Sequence, residues 1–444
     1  MRKTERRLIP KRGLSRPFAG LLVALAFLYS NVGHSSDWPQ WRGPNRDGVW
    51  NETGLLESFP SDKLEHKWSV PIGPGYSGPT VADGRVYVMD RQTDPKEVER
   101  VLCFDWETGN PLWTHTYDCP YKVDFPLGPR ASVTIDDGLA YSFGTMGHFH
   151  CLDAENGTVV WSKDLNTEYT INLPIWGLSA SPIVFEDLVV AQIGGANGAC
   201  LVAFDKKSGA ERWRALDEDA SYSSPILIRQ ASQPVLVCWT GRSLSGLDPK
   251  TGKVHWALPA KPTKMVINIA TPITDGKRLF VSCFYDGSIL VNLHQDKLAV
   301  DEVWRRRGIN ENKTDSLHAI ISTPYLKGDY IYGVDSYGEL RCLEAATGDR
   351  VWEDLTAVGN VRWGTIHMVE NGDRMWMFNE DGDLIIGKLS PDGFTEIDRA
   401  KLLEPTSERN YNPGRVCWSH PAYAYKHIFA RNDQELVCAS LAAE

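Results

Sequence analysis

"DWETGNPLW", residues 105–113, decides the fold, because the chain repeats it. Four further segments align with it without gaps: "DAENGTVVW" (153–161), "DKKSGAERW" (205–213), "DPKTGKVHW" (248–256) and "EAATGDRVW" (344–352). Each opens on an acid: Asp105, Asp153, Asp205, Asp248 and Glu344. A glycine stands mid-motif (Gly109, Gly157, Gly209, Gly252, Gly348) and a tryptophan closes it (Trp113, Trp161, Trp213, Trp256, Trp352). The acid and the Thr, Asn or Ser before the glycine are suited to bond the free N–H groups of a turn. Glycine takes the φ > 0 position that such a turn requires. The tryptophan falls in the next strand, where its ring covers a seam between neighbouring sheets.

Trp68 in "EHKWSV" and Trp304 in "VDEVWRRR" keep the same beat with weaker motifs. Successive separations from Trp68 to Trp352 are 45, 48, 52, 43, 48 and 48 residues, and 45 further on Ile397 is an apolar stand-in. That makes eight beats. Ahead of each motif lies a small-residue start, as in "SASP", "YSSP", "IATP" and "ISTP", followed by strand-like runs around DG, ED or GD turns. These are hairpin signals. A unit of four antiparallel strands in about 48 residues is one propeller blade. The last unit ends at "ELVCASLAAE" one strand short, while the strand around Trp68 has no blade of its own. The expected fold is therefore all-β: an eight-bladed β-propeller over 64–444. Residues 64–69 close the ring as the outer strand of the last blade.

The N-terminus reads as an export signal. "MRKTERRLIPKRGLSRP" carries seven Lys/Arg against Glu5, and the 12-residue apolar run "FAGLLVALAFLY" fits a signal h-region. It falls short of the roughly 20 residues that span a bilayer. Residues 1–35 are read as a signal peptide, with an uncleaved anchor as the competing reading. Residues 36–63 are read as a leading segment that packs on the propeller. Within it, Trp38 and Trp41 are expected to wedge against blade surface near the closure. Residues 36–444 carry 40 Lys/Arg and 56 Asp/Glu, a formal charge of −16. Such a surface repels phosphate backbones and excludes nucleic acid as the expected partner. Nine cysteines are widely spaced with no CxxC pair, and Cys103, Cys151, Cys342 and Cys438 recur at one place in the repeat, so buried small hydrophobes are expected.

The motif resembles the tryptophan-docking repeat of pyrroloquinoline-quinone-type propellers, over residues 37–444. One branch of that superfamily contains quinoprotein alcohol and glucose dehydrogenases. The other contains binding or scaffold propellers such as BamB. "WPQWRGPNRDG" (38–48) also resembles the opening of exported quinoprotein-like propellers of planctomycete-type bacteria. The resemblance implies an exported protein of the bacterial periplasm or cell envelope. The dehydrogenases it points to carry a vicinal Cys-Cys disulfide, a calcium site and a catalytic Asp. This chain has no adjacent cysteines. "EDGD" (380–383) stands where other units have a turn, and His148 and His150 have no third ligand near in sequence.

The loops that lead into the inner strands hold Tyr76, Arg130, Trp176, Tyr222, Asn268, His318, Arg362, Trp363, Arg415, Trp418 and His420. Converging on the axis, these would make an aromatic and cationic funnel. The competing reading is that they only satisfy backbone where the blades meet. No catalytic residue, metal or cofactor is expected. The leading expectation is a non-catalytic binding or scaffold propeller for a protein or small anionic ligand. The alternative is an oxidoreductase using pyrroloquinoline quinone with Ca²⁺.

Overall fold

In the folded chain the repeated motif becomes a joint between sheets. The computed structural model describes residues 36–409 and 413–443. The signal reading of residues 1–35 lies outside the described residues. Eight four-stranded antiparallel sheets form the blades. Blade 1 comprises Thr80–Ala82, Arg85–Gln92, Val98–Asp105 and Pro111–Asp118. Blades 2 to 7 follow as 134–164, 183–215, 226–259, 273–306, 325–354 and 366–401. Blade 8 is built from Ala422–Ala424, His427–Arg431 and Glu435–Ser440, and His66–Pro71 supplies its outer strand, with Trp68 opposite Cys438. The ring is closed by that early strand.

Five of the tryptophans dock on the following blade in one way. Trp68, Trp113, Trp161, Trp213 and Trp304 lie against Gly109, Gly157, Gly209, Gly252 and Gly348, respectively. Their indole N–H groups donate to the carbonyl just after the acid: Trp106, Ala154, Lys206, Pro249 and Ala345, at 2.9–3.1 Å. Asp105 Oδ1 in turn accepts from the N–H groups of Glu107 and Thr108. Glycine is therefore required twice over. Gly157 has φ +74, and a Cβ there would sit 2.6 Å from the Trp113 ring. L side chains disfavour that backbone region, and no ring atom tolerates that approach.

Three seams depart from the pattern. Blade 5 lacks the acid–Gly turn, so the Trp256 indole donates to Gln230 Oε1 (2.9 Å) within its own blade, and Gln230 Nε2 passes the link on to the Ala299 carbonyl (2.7 Å). Trp352 uses the Ser390 carbonyl. Ile397 does not dock at all: it is 40% exposed. The leading segment holds that seam instead, with Phe59 N–H donating to Asp398 and Leu64 N–H to the Lys401 carbonyl. Its Trp50 is buried against Trp376 and Tyr423, within a core that runs across blades 7, 8 and 1. All nine cysteines are buried and free. Among the described residues no helix is long and apolar enough to cross a membrane.

Candidate functional site

Where eight inner strands crowd one axis, serines and threonines recur, and their hydroxyls find partners on the neighbouring blade. Ser132 N–H donates to Ser181 Oγ (3.0 Å) and Ser181 N–H to Ser224 Oγ (2.9 Å). Ser223 Oγ donates to the Ala270 carbonyl, Thr271 N–H to Thr323 Oγ1 and Ile366 N–H to Ser322 Oγ. His367 Nε2 donates to the Trp418 carbonyl at 2.9 Å. His420 Nε2 and Ser132 Oγ are 2.8 Å apart, across Gly78, where a Cβ would strike the His420 ring. The result is a stitched belt around the channel.

Above this belt the inter-blade loops enclose a well of ≈ 160 Å³. Tyr76, Arg130, Trp176, Tyr222, Trp363, Trp418 and His420 line it, together with Trp41, Phe125, His367, three isoleucines and Ser179, Ser181 and Ser224. Trp176 and Tyr222 pack at 5.0 Å between ring centroids. Phe125 lies within 6.0 Å of Trp176, Trp363 and Trp418. Phe125 and Trp363 both hold left-handed backbone, at φ 55 and φ 68. For bulky residues that conformation costs of order 1–3 kcal/mol each, and packing must hold it in place.

The other four residues of the expected funnel lie elsewhere. Asn268 is buried with its Nδ2 on the Thr240 carbonyl, and it lines a separate cleft between blades 4 and 5. His318 is buried, with Nδ1 donating to the Phe284 carbonyl and Nε2 accepting from Gly308 N–H. Arg362 pairs with Glu311 at 2.9 Å, its guanidinium 4.6 Å from the centre of the Trp363 ring. Arg415 is exposed on the small hairpin formed by Ser407–Glu408 and Arg415–Val416. The expectation of three convergent arginines is thus corrected, since only Arg130 reaches the well. Its guanidinium is spent on the carbonyls of Gly128, Asp124 and Phe125, and stands 5.1 Å from the Tyr76 ring centre. Sequence reasoning missed Phe125, which sits in the coil "YKVDFPLG" with no periodicity to mark it.

It also missed the floor. The leading segment does not stay on blade surface: Trp38 pairs with Val81 and is buried, but the chain then runs across the far end of the channel. Ile135 N–H donates to the Pro39 carbonyl. Arg46 bonds the carbonyls of Ser181 (3.1 Å), Pro225 (3.0 Å) and Pro182. Trp41 reaches blade 5, where its indole donates to Thr271 Oγ1 (2.8 Å), and it meets the His420 ring edge-on at 4.2 Å. The segment leaves beside blade 7, where Trp50 N–H donates to the Glu370 carbonyl. Residues 38–50 are a plug, and Trp41 is its upper surface.

The Arg130 guanidinium is the one formal charge that lines the well. No Asp or Glu lines it. Burial, with Arg42 nearby, lowers His367 to about 4 and holds His420 well below the usual imidazole range. Burial also raises the Tyr76 and Tyr222 phenols. Neither histidine is poised for proton transfer near neutral pH. The donor set does not fit a Ca²⁺-bound quinone. The well offers no carboxylate, and among the described residues no group of three or more His, Cys, Asp or Glu is placed to hold a metal ion. "EDGD" is a turn in which Gly382 N–H donates to the Asn379 carbonyl. His150 is buried, 4.4 Å from the Tyr117 ring, on the seam of blades 1 and 2.

The family profile described as outer membrane protein assembly factor BamB matches residues 97–354. The chain belongs to that family, whose PQQ-like repeat builds the propeller described above. BamB of Moranella endobia (strain PCIT) is 22% identical over 256 residues, covering 54% of this chain and 62% of that protein. The chain therefore matches less than two thirds of that relative's length. Among solved structures, BamB from Moraxella catarrhalis has TM-score 0.58 at 15% identity, covering 86% of this chain and 98% of that one. A europium-containing methanol dehydrogenase has TM-score 0.62 at 12% identity, covering 89% of each. At these identities the structural likeness is one of fold.

Proposed function

We propose that this protein is an exported, non-catalytic binding propeller of the bacterial cell envelope. It holds a protein partner on the face carrying the inter-blade loops, with a flat apolar group of the partner, such as an aromatic side chain, seated in the central well. The observation that carries this reading is the well itself: an aromatic cage floored by Trp41, with its arginine and histidines already spent on carbonyls and hydroxyls. Apolar lining with few polar groups is the chemistry of a binding site. Relatives named as assembly factors support a protein as the occupant. Of the three arginines only Arg130 lines the well, and its guanidinium is already bonded to three backbone carbonyls, so the anionic small ligand anticipated from three arginines is not part of this reading.

A photo-crosslinking amino acid in place of Tyr222 should capture a protein in the exporting cell. The same group in place of Val159, exposed on the outer edge of blade 2, should not. Equal capture at both positions would defeat the proposal. Fold likeness to a methanol dehydrogenase keeps the quinone-dependent alternative open to test. Adding pyrroloquinoline quinone and Ca²⁺ to the purified protein should give neither a stoichiometric cofactor spectrum nor dye reduction with alcohols or sugars. Turnover would replace this reading with an oxidoreductase.

A further inference from the structure

A second cavity, of ≈ 240 Å³, lies between blades 4 and 5. The strands ending at Trp239 and Pro259 in blade 4, and at Cys283 and Arg306 in blade 5, place it on the same face as the well. The connection 260–272 separates the two: Lys261, Thr263 and Asn268 line the cleft, and Ile269 lines the well.

Two independent features mark the cleft. The first is charge. Lys261, Arg305 and Arg307 line it against one acid, Asp286, in a chain whose residues 36–444 carry −16. Asp286 is already occupied, its oxygens accepting from Thr263 N–H (3.1 Å) and Thr263 Oγ1 (2.6 Å), and its contact with Arg307 is a long 3.5 Å. Arg305 is shared between Glu302 and the Pro259 carbonyl. Lys261 has no ion-pair partner among the described residues. The second feature is Trp239. It lines the cleft, is 2% exposed, and its indole N–H has no hydrogen-bond partner. An indole nitrogen is a donor only, and a buried donor left unmatched costs about 1–3 kcal/mol. Cations around a cleft whose wall includes that tryptophan describe a seat for an acceptor of negative charge.

We infer that the cleft between blades 4 and 5 is a carboxylate subsite, which takes an acidic side chain of the partner segment whose apolar group enters the well. The inference rests on the loop face being the docking face, and it adds that the partner's docking segment is acidic. A carboxylate matches the guanidinium forks and the lysine that line the cleft, and Trp239 in its wall reports the binding.

The test uses the full chain with isotope-labelled indoles, the Trp239 signal being assigned with Trp239→Phe. N-acetyl tetraglutamate amide should move the Trp239 indole signal saturably, and the matching tetraglutamine peptide should not. Lys261→Gln with Arg307→Gln should weaken the titration about tenfold, the loss expected for about 1.4 kcal/mol of charge contact. The remaining indole signals report whether that variant is folded, and Arg307→Gln alone gives the same direction at smaller size. An unmoved Trp239 signal, equal response to tetraglutamine, or inorganic phosphate acting as strongly as the peptide would overturn the inference. Trp363→Ala should leave this titration intact. An intact titration together with failed capture at position 222 would sink the well reading alone.

Discussion

Arg46 offers a test of the plug in which two large effects oppose each other. Its guanidinium is 2% exposed and meets only carbonyls of Ser181, Pro182 and Pro225 and the side chain of Gln40. Burial lowers its pKa from 12.5 to about 9. That fall corresponds to ~5 kcal/mol against the charged form. Arg46→Met removes this cost and keeps most of the volume. It also strips the Ser181 and Pro225 carbonyls of their donor, at about 1–3 kcal/mol each. The Pro182 carbonyl still holds Thr134 Oγ1 at 2.8 Å. The two effects nearly cancel, as they do when buried charges are replaced by apolar residues of similar size, so this variant should lie within about 2 kcal/mol of the parent. Arg46→Lys is the harsher change. It keeps a charge that is more strongly hydrated, and a point ammonium does not reproduce the planar fork that bridges blades 3 and 4. A loss of about 3 kcal/mol or more is expected. Guanidinium chloride unfolding at pH 7, followed by tryptophan fluorescence, ranks the three proteins by midpoint at constant slope. If the lysine variant matches the parent while the methionine variant falls well below it, the burial argument for the plug is wrong.

Three further outcomes are expected. Gly157→Ala should cost about 2–4 kcal/mol, combining backbone strain with the Trp113 clash, whereas Gly138→Ala, at the same φ of +74 with nothing within 4 Å, should cost only the strain of about 1–2 kcal/mol; equal midpoints would remove the docking contact from the account. Because burial depresses His367 to about 4, the unfolded chain takes up a proton below pH 6.5 that the native protein refuses, so this stability is present above 6.5 and lost as pH falls towards 4. The loss approaches ~3 kcal/mol, and His367→Gln should flatten the slope of midpoint against pH; an unchanged slope would contradict it. Gln230→Leu should destabilise by about 2 kcal/mol by orphaning the Trp256 indole, while the Ala299 carbonyl keeps the His294 N–H at 3.1 Å, and thermal melting will show whether that seam needs the relay.

The blades were legible because the joint between them is local in sequence. The acid, glycine and tryptophan of each motif lie within nine residues: the acid bonds its own turn, and at five seams the glycine meets the tryptophan of the repeat before it. Small hydroxylated residues before the inner strands were visible for the same reason. What escaped were contacts with no sequence neighbourhood. Arg46 finds its carbonyls 135 to 179 residues away, and "RGPNRDG" alone reads as a turn. Arg362 looked like a free cation because Glu311, its partner, lies 51 residues upstream. Ile397 kept the beat in spacing, yet its seam had already been filled by Phe59 and Leu64. Position in a repeat predicts where a residue stands, and the nearest available partner decides what it does there.

The closing strand also sets an order of events. His66–Pro71 is made early and pairs with Glu435–Ser440, the last full strand of the chain, while the plug just before it needs the inner strands of blades 1 to 5 and 7. Sheet pairing across so long a separation is slow to form. Until the final strand is available, neither the ring nor the floor of the well exists. Loss of residues 435–444 would therefore leave blade 8 without two of its four strands, and would undo the floor of a well that none of those residues touches.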